Sequence, residues 1–400
     1  MSIGLHVAIL YLISFVDTLC FGLIMPVLPT HILNLGGNHT SLGLLGMFHM
    51  LLQLFAIPLG QSYSSKFGRK TWLIATLFVG ALTNIAMGIV IKFPSVIIIR
   101  LIFYLTNQTQ TICKSFVADI ETKDMHTLIY SRMNLLGVAG FIIGPIVGGT
   151  LLDMEHGFYY ISLITFGLTQ FAMFVAMILP GDKRSNKNRN ISSNLAAKLV
   201  DNSTSSFDSI QKLQIRTNWN IVLMKICTTV SLTVFFMKFA LLLKVLHNRN
   251  NTGVGIVVAY QSFLIFLANI LVPLTDKVYK GQSVKKLSHS LSLLAISMAN
   301  ICYAPTFTMY LICFIPLSIA KCIFDSAFRE VSNSKSLGDI SGGLDTIATI
   351  TSIATPPIFG YSCDFYTHNA VKSFTIIPLI IVLFVMHFST KKQFAKLKVN

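Results

Sequence analysis

Gly140-Phe141-Ile142-Ile143-Gly144-Pro145-Ile146-Val147-Gly148-Gly149-Thr150-Leu151-Leu152-Asp153 is the stretch on which the fold turns. It ends an apolar run over 134–152, long enough to cross the ~30 Å of a bilayer's hydrocarbon as a helix. Much further along, Pro356-Pro357-Ile358-Phe359-Gly360 is followed by Asp364, so a P-I-x-G pattern before an acidic helix end occurs twice. Pro58-Leu59 and Pro273-Leu274 each precede a basic loop in the same way. Two parallel copies of one helical unit are an architecture of membrane carriers, with the solute site where the repeats meet near the midplane. A channel needs no such duplication.

Composition supports lipid as the solvent. Only 12% of residues are charged, 53% are hydrophobic and the mean hydropathy is +0.69, whereas a soluble domain carries about 25% charged residues. Apolar runs recur over 7–31, 42–62, 72–91, 95–118, 134–152, 157–179, 220–246, 253–274, 287–304, 306–328, 342–362 and 371–389. They predict an all-α membrane protein of twelve transmembrane helices. The halves are an N-terminal six-helix bundle over 1–180 and a C-terminal one over 220–389, joined by a Ser-, Asn- and Lys-rich linker at 181–219 and followed by a basic tail at 390–400. Cys20, Cys113, Cys227, Cys302, Cys313, Cys322 and Cys363 all fall in or beside apolar runs, so neither a disulfide framework nor a metal site is implied.

Charge sets the orientation. Loops on one side hold 22 Lys and Arg and those on the other hold Lys92, Arg249 and Lys372, which places both termini in the cytoplasm. The net charge of +16 is then a topology signal and not a nucleic-acid footprint. The start, MSIGLHVAIL, lacks a basic leader region, so the first span reads as a retained signal anchor. Asn38 in Asn-His-Thr and Asn250 in Asn-Asn-Thr fall in non-cytoplasmic loops and are candidate glycosylation sites.

The chain resembles the Major Facilitator Superfamily. Gly140, Gly144, Pro145, Gly148 and Gly149 match the G-x-x-x-G-P-x-x-G-G signature of its antiporter branch. Ser64-Ser65-Lys66-Phe67-Gly68-Arg69-Lys70 is similar to the family's S-D-R-x-G-R-K loop, with Ser65 where the acid usually stands. Asp276-Lys277 in the second copy keeps the acid and loses the Gly-Arg-Lys. Pro26-Val27-Leu28-Pro29, with Asn107-Gln108-Thr109-Gln110-Thr111 and Phe116-Val117-Ala118-Asp119-Ile120, most resembles the animal subgroup of major facilitator superfamily domain-containing protein 9 and its tetracycline-antiporter-like relatives. The resemblance implies alternating access, a loop whose acid latches the two halves, and a cavity lined by the first, fourth, seventh and tenth spans. It implies no cofactor and a single chain. In the loop, Gly68 permits a tight turn, while Lys66, Arg69 and Lys70 suit helix C-termini and an anionic leaflet.

Charges inside the membrane cost at least ~2.5 kcal/mol each at a helix centre and normally face a cavity or a partner. They fall at Asp17 in span one, Arg100 and Lys114 in span four, Lys225, Lys238 and Lys244 in span seven, and Lys321 and Asp325 in span ten. That is the set of helices the resemblance names. In span four Arg100, Tyr104, Asn107, Thr111 and Lys114 recur at helical spacing, which predicts one polar face lining the pathway. Helix-to-helix hydrogen bonding accounts equally for Asn107 and Thr111. Arg100 matches the family's span-four arginine, with Tyr104 where a glycine is usual. Asp17 is a candidate proton carrier or the partner of Lys114, and Lys321 with Asp325 forms an i,i+4 pair. Lys225 and Lys244 lie near enough to helix ends to snorkel. His49 and His289 read as packing residues.

No nucleophile set, phosphate loop or metal cluster occurs, which argues against an enzyme and against direct use of ATP. The function that follows is a secondary active transporter for a small solute. Arg100, Lys114, Lys238 and Lys321 outnumber Asp17 and Asp325, which suggests an organic anion, with protons or another ion as the coupling partner. The alternative is a transporter-like receptor or trafficking scaffold, favoured by Ser65 and Tyr104. Plasma membrane and lysosomal or other endomembranes are all compatible with the sequence.

Overall fold

The structure is a computed structural model, described here over residues 3–180, 215–279, 282–332 and 341–389. The linker expected at 181–219 therefore lies outside the described residues up to 214, as does the tail at 390–400. Every regular element among the described residues is an α-helix. In chain order these are α1 Ile3–Ile24, α2 Leu28–Asn34, α3 His39–Phe67, α4 Arg69–Ile89, α5 Phe93–Thr106, α6 Thr109–Ile120, α7 Lys123–Leu152 and α8 Gly157–Met177. They continue as α9 Ile215–His247, α10 Asn251–Tyr279, α11 Ser283–Cys302, α12 Phe307–Ser332 and α13 Ser341–Ser389. Among them eight stretches are long and apolar enough to cross a membrane. Exposed side chains such as Ile91, Ile98, Phe174 and Phe384 would be untenable in water at this density but suit a lipid-facing surface.

Four expected spans take a different form. Span one ends at Ile24 and resumes at Leu28, because Pro26 has no N–H and pushes Met25 out of helical geometry. Span four is broken between Thr106 and Thr109, although no proline or glycine stands there. Thr106 donates its hydroxyl to the Phe103 carbonyl at 3.1 Å and Gln108 donates its amide to the Leu105 carbonyl at 2.8 Å. The Phe103 carbonyl still accepts the Asn107 N–H at 2.9 Å, so it is the Leu105 carbonyl, turned to a side chain, that leaves the helical ladder. Spans eleven and twelve run together as α13, yet the chain doubles back within it. The rings of Phe359 and Phe374 lie 5.7 Å apart, where straight helix would hold them about 22 Å apart at ~1.5 Å per residue.

The chain forms two compact units: 1–38, 48–202 and 249–260 make the first, and 39–47, 203–248 and 261–400 the second. In the first unit α1 packs on α7 and α8, and α4 on α8. Its core gathers Leu10, Ile13, Leu73, Cys113, Phe116, Met133 and Ala172. The glycines of the quoted stretch bring α7 against α1. A side chain at Gly140 would strike Thr18 and Leu19, one at Gly144 would strike Gly22 and Leu23, and one at Gly148 would fall on the Leu23 carbonyl. In the second unit α9 packs on α13, and α11 on α12 and α13. Val234, Leu242, Phe359, Cys363 and Val371 form a core there.

Candidate functional site

In the first unit the break in span four places polar groups at mid-helix depth. Asp17 of α1 accepts a hydrogen bond from the Gln110 amide of α6 at 2.9 Å. Gln110 also donates to the Ser14 carbonyl and accepts from the Ser14 hydroxyl. Among the described residues no ion pair joins Asp17 to Lys114. The Lys114 carbonyl instead accepts the Tyr130 hydroxyl at 3.0 Å. Asp17 opens onto a cavity of about 40 Å³ shared with Asn84, Asn107, Thr109 and Thr169, room for about three or four waters at ~10–15 Å³ each. Two of the residues singled out from sequence, Asp17 and Asn107, therefore meet. Gln110, which holds the carboxylate, is neutral and was invisible to a count of charges.

Arg100 and Tyr104 lie one turn apart on α5, and both are buried. Tyr104 meets the ring of His49 edge-on with centroids 4.4 Å apart. The Arg100 guanidinium sits 5.4 Å from the Phe103 ring centroid, while its Nε and Nη2 have no hydrogen-bond partner among the described residues. An ionised guanidinium this buried is normally paired. Thr111 and Lys114 are partly buried on α6, beyond the break, so the five residues do not share one continuous helix face.

The loop between α3 and α4 keeps a built geometry without its acid. Gly68 adopts φ 99°, a left-handed conformation that favours glycine. Arg69 pairs with Asp119 at the end of α6, and Lys70 donates to the Met177 and Leu179 carbonyls, both at 2.6 Å, at the C-terminus of α8. Ser65 turns back onto the Ser62 carbonyl. In the second unit Lys286, at the start of α11, pairs with Asp276 of α10 and, at 2.8 Å, with Glu330 at the end of α12. Lys286 is only 1% exposed. It occupies the place that Arg69 holds in the first unit, a correspondence the sequence hid because the Gly-Arg-Lys string is absent. Burial pushes the Lys286 ammonium's pKa down, but the hydrogen bonds and charges of Asp276 and Glu330 outweigh it and hold the pKa above the ordinary lysine value.

Lys321 and Asp325 of α12 pair at 3.5 Å. They share a cavity of about 520 Å³ with Asn269, Ser326, Arg329 and Glu330. Lys238 of α9 is buried and donates to Nδ1 of His39 at 2.6 Å. Lys225 reaches Asp345 at 3.7 Å and the Phe328 ring.

The repeated stretch has two unforeseen partners. In the first unit Asp153 accepts the Asn251 and Thr252 backbone N–H groups at 3.0 and 2.8 Å, and their side chains as well. In the second, Asp364 accepts the His39 and Thr40 N–H groups at 2.9 and 3.0 Å and the Thr40 hydroxyl. A side chain at Gly149 would strike Asn251, and one at Gly360 would strike His39. One at Gly255 would strike Pro145, and one at Gly43 would strike Pro356. The equivalent residues are thus Pro145 and Pro356, Gly149 and Gly360, Asp153 and Asp364, a register one residue off the P-I-x-G alignment.

The family model of the Major Facilitator Superfamily matches residues 10–356. Tetracycline resistance protein, class H, of Pasteurella multocida is 32% identical over 153 residues, 37% of this chain and 38% of that protein. Quinolone resistance protein NorA of Staphylococcus aureus (strain MSSA476) is 22% identical over 236 residues, 58% of this chain and 56% of the other. The match spans about half the length of these curated relatives, or less. Among solved structures, nucleoside transporter NupG superposes with a TM-score of 0.72 at 15% identity over the whole of both chains. The human organic anion transporter MFSD10 (TETRAN) gives 0.60 at 15% identity, covering 96% of this chain and 100% of that one. Likeness at this identity shows the fold.

Proposed function

Because the chain belongs to the Major Facilitator Superfamily, a family of integral multi-pass membrane proteins, we propose that it is a secondary active transporter carrying a small organic anion by alternating access, coupled to protons. The observation that carries the reading is Arg100, buried with two guanidinium nitrogens unpartnered among the described residues. A buried cation without a partner costs several kcal/mol, and an anionic solute group accepting from Nε and Nη2 removes that cost in the planar geometry at which guanidinium excels. Relatives point the same way in kind: one solved neighbour is the human organic anion transporter MFSD10 (TETRAN), and the curated relatives are drug resistance proteins.

Asp17 supplies the coupling. The Gln110 amide and the Thr109 hydroxyl that bond it are both neutral and it faces a small polar cavity, so the carboxyl can take up and release a proton without breaking an ion pair. Lys321 and Asp325 line the larger cavity of the second unit. The same reading takes twelve spans in two six-helix halves, 1–180 and 220–389, with a cytoplasmic linker and both termini cytoplasmic.

The test is uptake by the full chain in proteoliposomes, with a panel of organic anions and matched cations under an imposed pH gradient. Saturable anion uptake that rises with the gradient and is abolished by Arg100→Ala in correctly inserted protein is the expected result. Absence of flux for every solute under every gradient would mean a scaffold and not a carrier.

A further inference from the structure

We infer that the small cavity beside Asp17 is a binding site for Na⁺, and that the ion and the coupling proton exclude one another at this one carboxylate. The role of the ion rests on the reading of Asp17 as the coupling group, but the site itself stands without a solute.

The cavity lies wholly within the first unit, among α1, α4, α5, α6 and α8. At about 40 Å³ it is far below the ~300–1,000 Å³ that an organic solute needs, so only a small ion and a few waters fit it. Its polar lining offers lone pairs. Thr76 donates its hydroxyl to the Leu73 carbonyl at 3.0 Å, and Thr106 to the Phe103 carbonyl at 3.1 Å. Each has committed its one hydroxyl proton to its own helix and keeps an acceptor for the cavity. Asn84 turns its amide nitrogen to Thr169 at 3.3 Å and keeps its oxygen as an acceptor, while Asn107 adds a second amide. One carboxylate among neutral oxygens is the ligand set of a hard cation.

Charge leads to the same ion. The break in span four sets the negative C-terminal end of α5 against the positive N-terminal end of α6 at the cavity wall, and the two opposed half-dipoles offset one another. The Asp17 carboxylate is left over. Gln110 and Thr109 bond it with neutral groups, and among the described residues no lysine, arginine or histidine pairs with it. The titratable groups whose charge reaches it are the thiols of Cys20 and Cys113, uncharged at neutral pH. The α4, α5 and α8 helices give the cavity only neutral side chains, and α7 meets this part of α1 through Gly137 and Gly140. A lone carboxylate in the membrane is costly. A proton removes its charge, and so does one monovalent cation, whereas a divalent ion would leave a net charge behind. Discontinuous mid-membrane helices are a general setting for Na⁺ and proton sites.

The test reads ion binding and needs no solute. Purified full-length chain is titrated with NaCl at constant ionic strength, choline chloride making up the balance, and melting is followed by size-exclusion fluorescence. At about pH 7.5 the melting temperature should rise with NaCl and level off at least about 3 °C above its value in choline, the shift of a site well past saturation. The NaCl concentration at half the rise should climb as the pH is lowered, toward about tenfold per unit once the proton holds the carboxyl. Asp17→Asn should show no rise. Thr76→Val with Asn107→Leu, which keeps the carboxylate, should move the half-point up by at least about tenfold. Equal melting in NaCl and choline chloride at every pH, a rise that persists in Asp17→Asn, or an unmoved half-point in Thr76→Val with Asn107→Leu would each overturn the site. Equal melting together with pH-dependent uptake that Asp17→Asn flattens would remove Na⁺ and leave the proton coupling standing. Na⁺ binding in a chain that moves no solute would keep the site and refute the carrier reading, so the two failures are distinct.

Discussion

Removing the buried lysine at the start of α11 should do less harm than neutralising its partners. Lys286 is 1% exposed, whereas the side chains of Asp276 and Glu330 are 52% and 38% exposed. Lys286→Met leaves two carboxylates that water can reach, and a methionine fills the lysine's channel. The loss is then that of a largely surface interaction, about 1 kcal/mol or less. Asp276→Asn with Glu330→Gln leaves the ammonium enclosed, with neutral acceptors and the Ser326 hydroxyl at 3.2 Å as company. An uncompensated buried charge costs about 3–5 kcal/mol, reduced by what the amides can still accept. On a scale of roughly 2–4 °C per kcal/mol for a body of this size, the double variant should melt at least about 6 °C below the parent, and Lys286→Met within about 3 °C. Thermal scans of detergent-purified full-length chain, read by size-exclusion fluorescence, measure this. The sign with pH also follows. A lysine whose folded pKa is raised contributes stability that is complete below its unfolded value, about 10.4, and is lost as the pH climbs through the higher folded one. The parent should therefore lose its advantage over Lys286→Met only in strong alkali. If Lys286→Met proved as damaging as the double neutralisation, or if the advantage vanished near neutrality, burial asymmetry would not be what governs this cluster.

Asp17→Asn should leave the protein inserted and flatten the pH dependence of anion uptake in proteoliposomes; unchanged dependence would move the coupling proton elsewhere. Gly148→Val, which drives a branched side chain into the Leu23 carbonyl, should cost at least about 1–3 kcal/mol of thermal stability, while Gly167→Ala, with nothing within 4 Å, should be neutral or gain up to about 1 kcal/mol. Burial would raise the pKa of Asp153 and of Asp364, but the hydrogen bonds from Thr252 and Asn251, and from Thr40 and His39, lower both below the ordinary carboxylate value. Carboxylates depressed in this way contribute stability above their unfolded pKa, about 3.9, and lose it as pH falls through the folded one, so the thermal stability that the parent holds over Asp153→Asn and Asp364→Asn should persist from neutrality down to about pH 4. Asn250→Gln should destabilise α10 by about 1 kcal/mol even in a host that adds no glycans, because the Asn250 side-chain oxygen accepts the Gly253 N–H at 3.1 Å.

The membrane class and the duplication were legible because they rest on composition and on strings of glycine and proline, which few contexts other than close helix packing require. Register was not, since Pro356-Pro357 offers two prolines to one and only the contacts choose Pro356 as the partner of Pro145. Helical spacing in span four was read as continuity, but spacing says nothing of a helix's hydrogen bonds. Gln108, a neighbour of the polar residues that suggested a pathway, takes the Leu105 carbonyl where the helix breaks. Counting charges located Asp17 and Arg100, yet it passed over Gln110 because a neutral amide does not stand out, although in lipid it is the partner a lone carboxylate can use without becoming permanently ionised.

Asn38-His39-Thr40 and Asn250-Asn251-Thr252 show how one string can satisfy two physical demands. Both were read as glycosylation acceptors, a reading that needs only an asparagine, a hydroxyl two residues on and a position outside the cytoplasm. Each is also the start of a helix. In both copies the threonine hydroxyl and two backbone N–H groups close on an aspartate from another helix, and a capping asparagine with a following threonine is what such a start requires. The two demands can be separated by substitution. Thr252→Ala and Thr40→Ala remove the acceptor strings and the hydroxyls that meet the aspartates together, whereas Thr252→Ser and Thr40→Ser keep both. His39→Gly and Asn251→Gly keep the strings and remove the side chains beside the carboxylates while leaving the backbone N–H donors in place. If holding the aspartates is why these residues are here, the thermal stability of the purified chain should follow the hydroxyl, in glycosylating and non-glycosylating hosts alike. Stability that changed only where a glycan was lost would assign the threonines to modification, leaving the backbone N–H groups as the donors that matter to the aspartates.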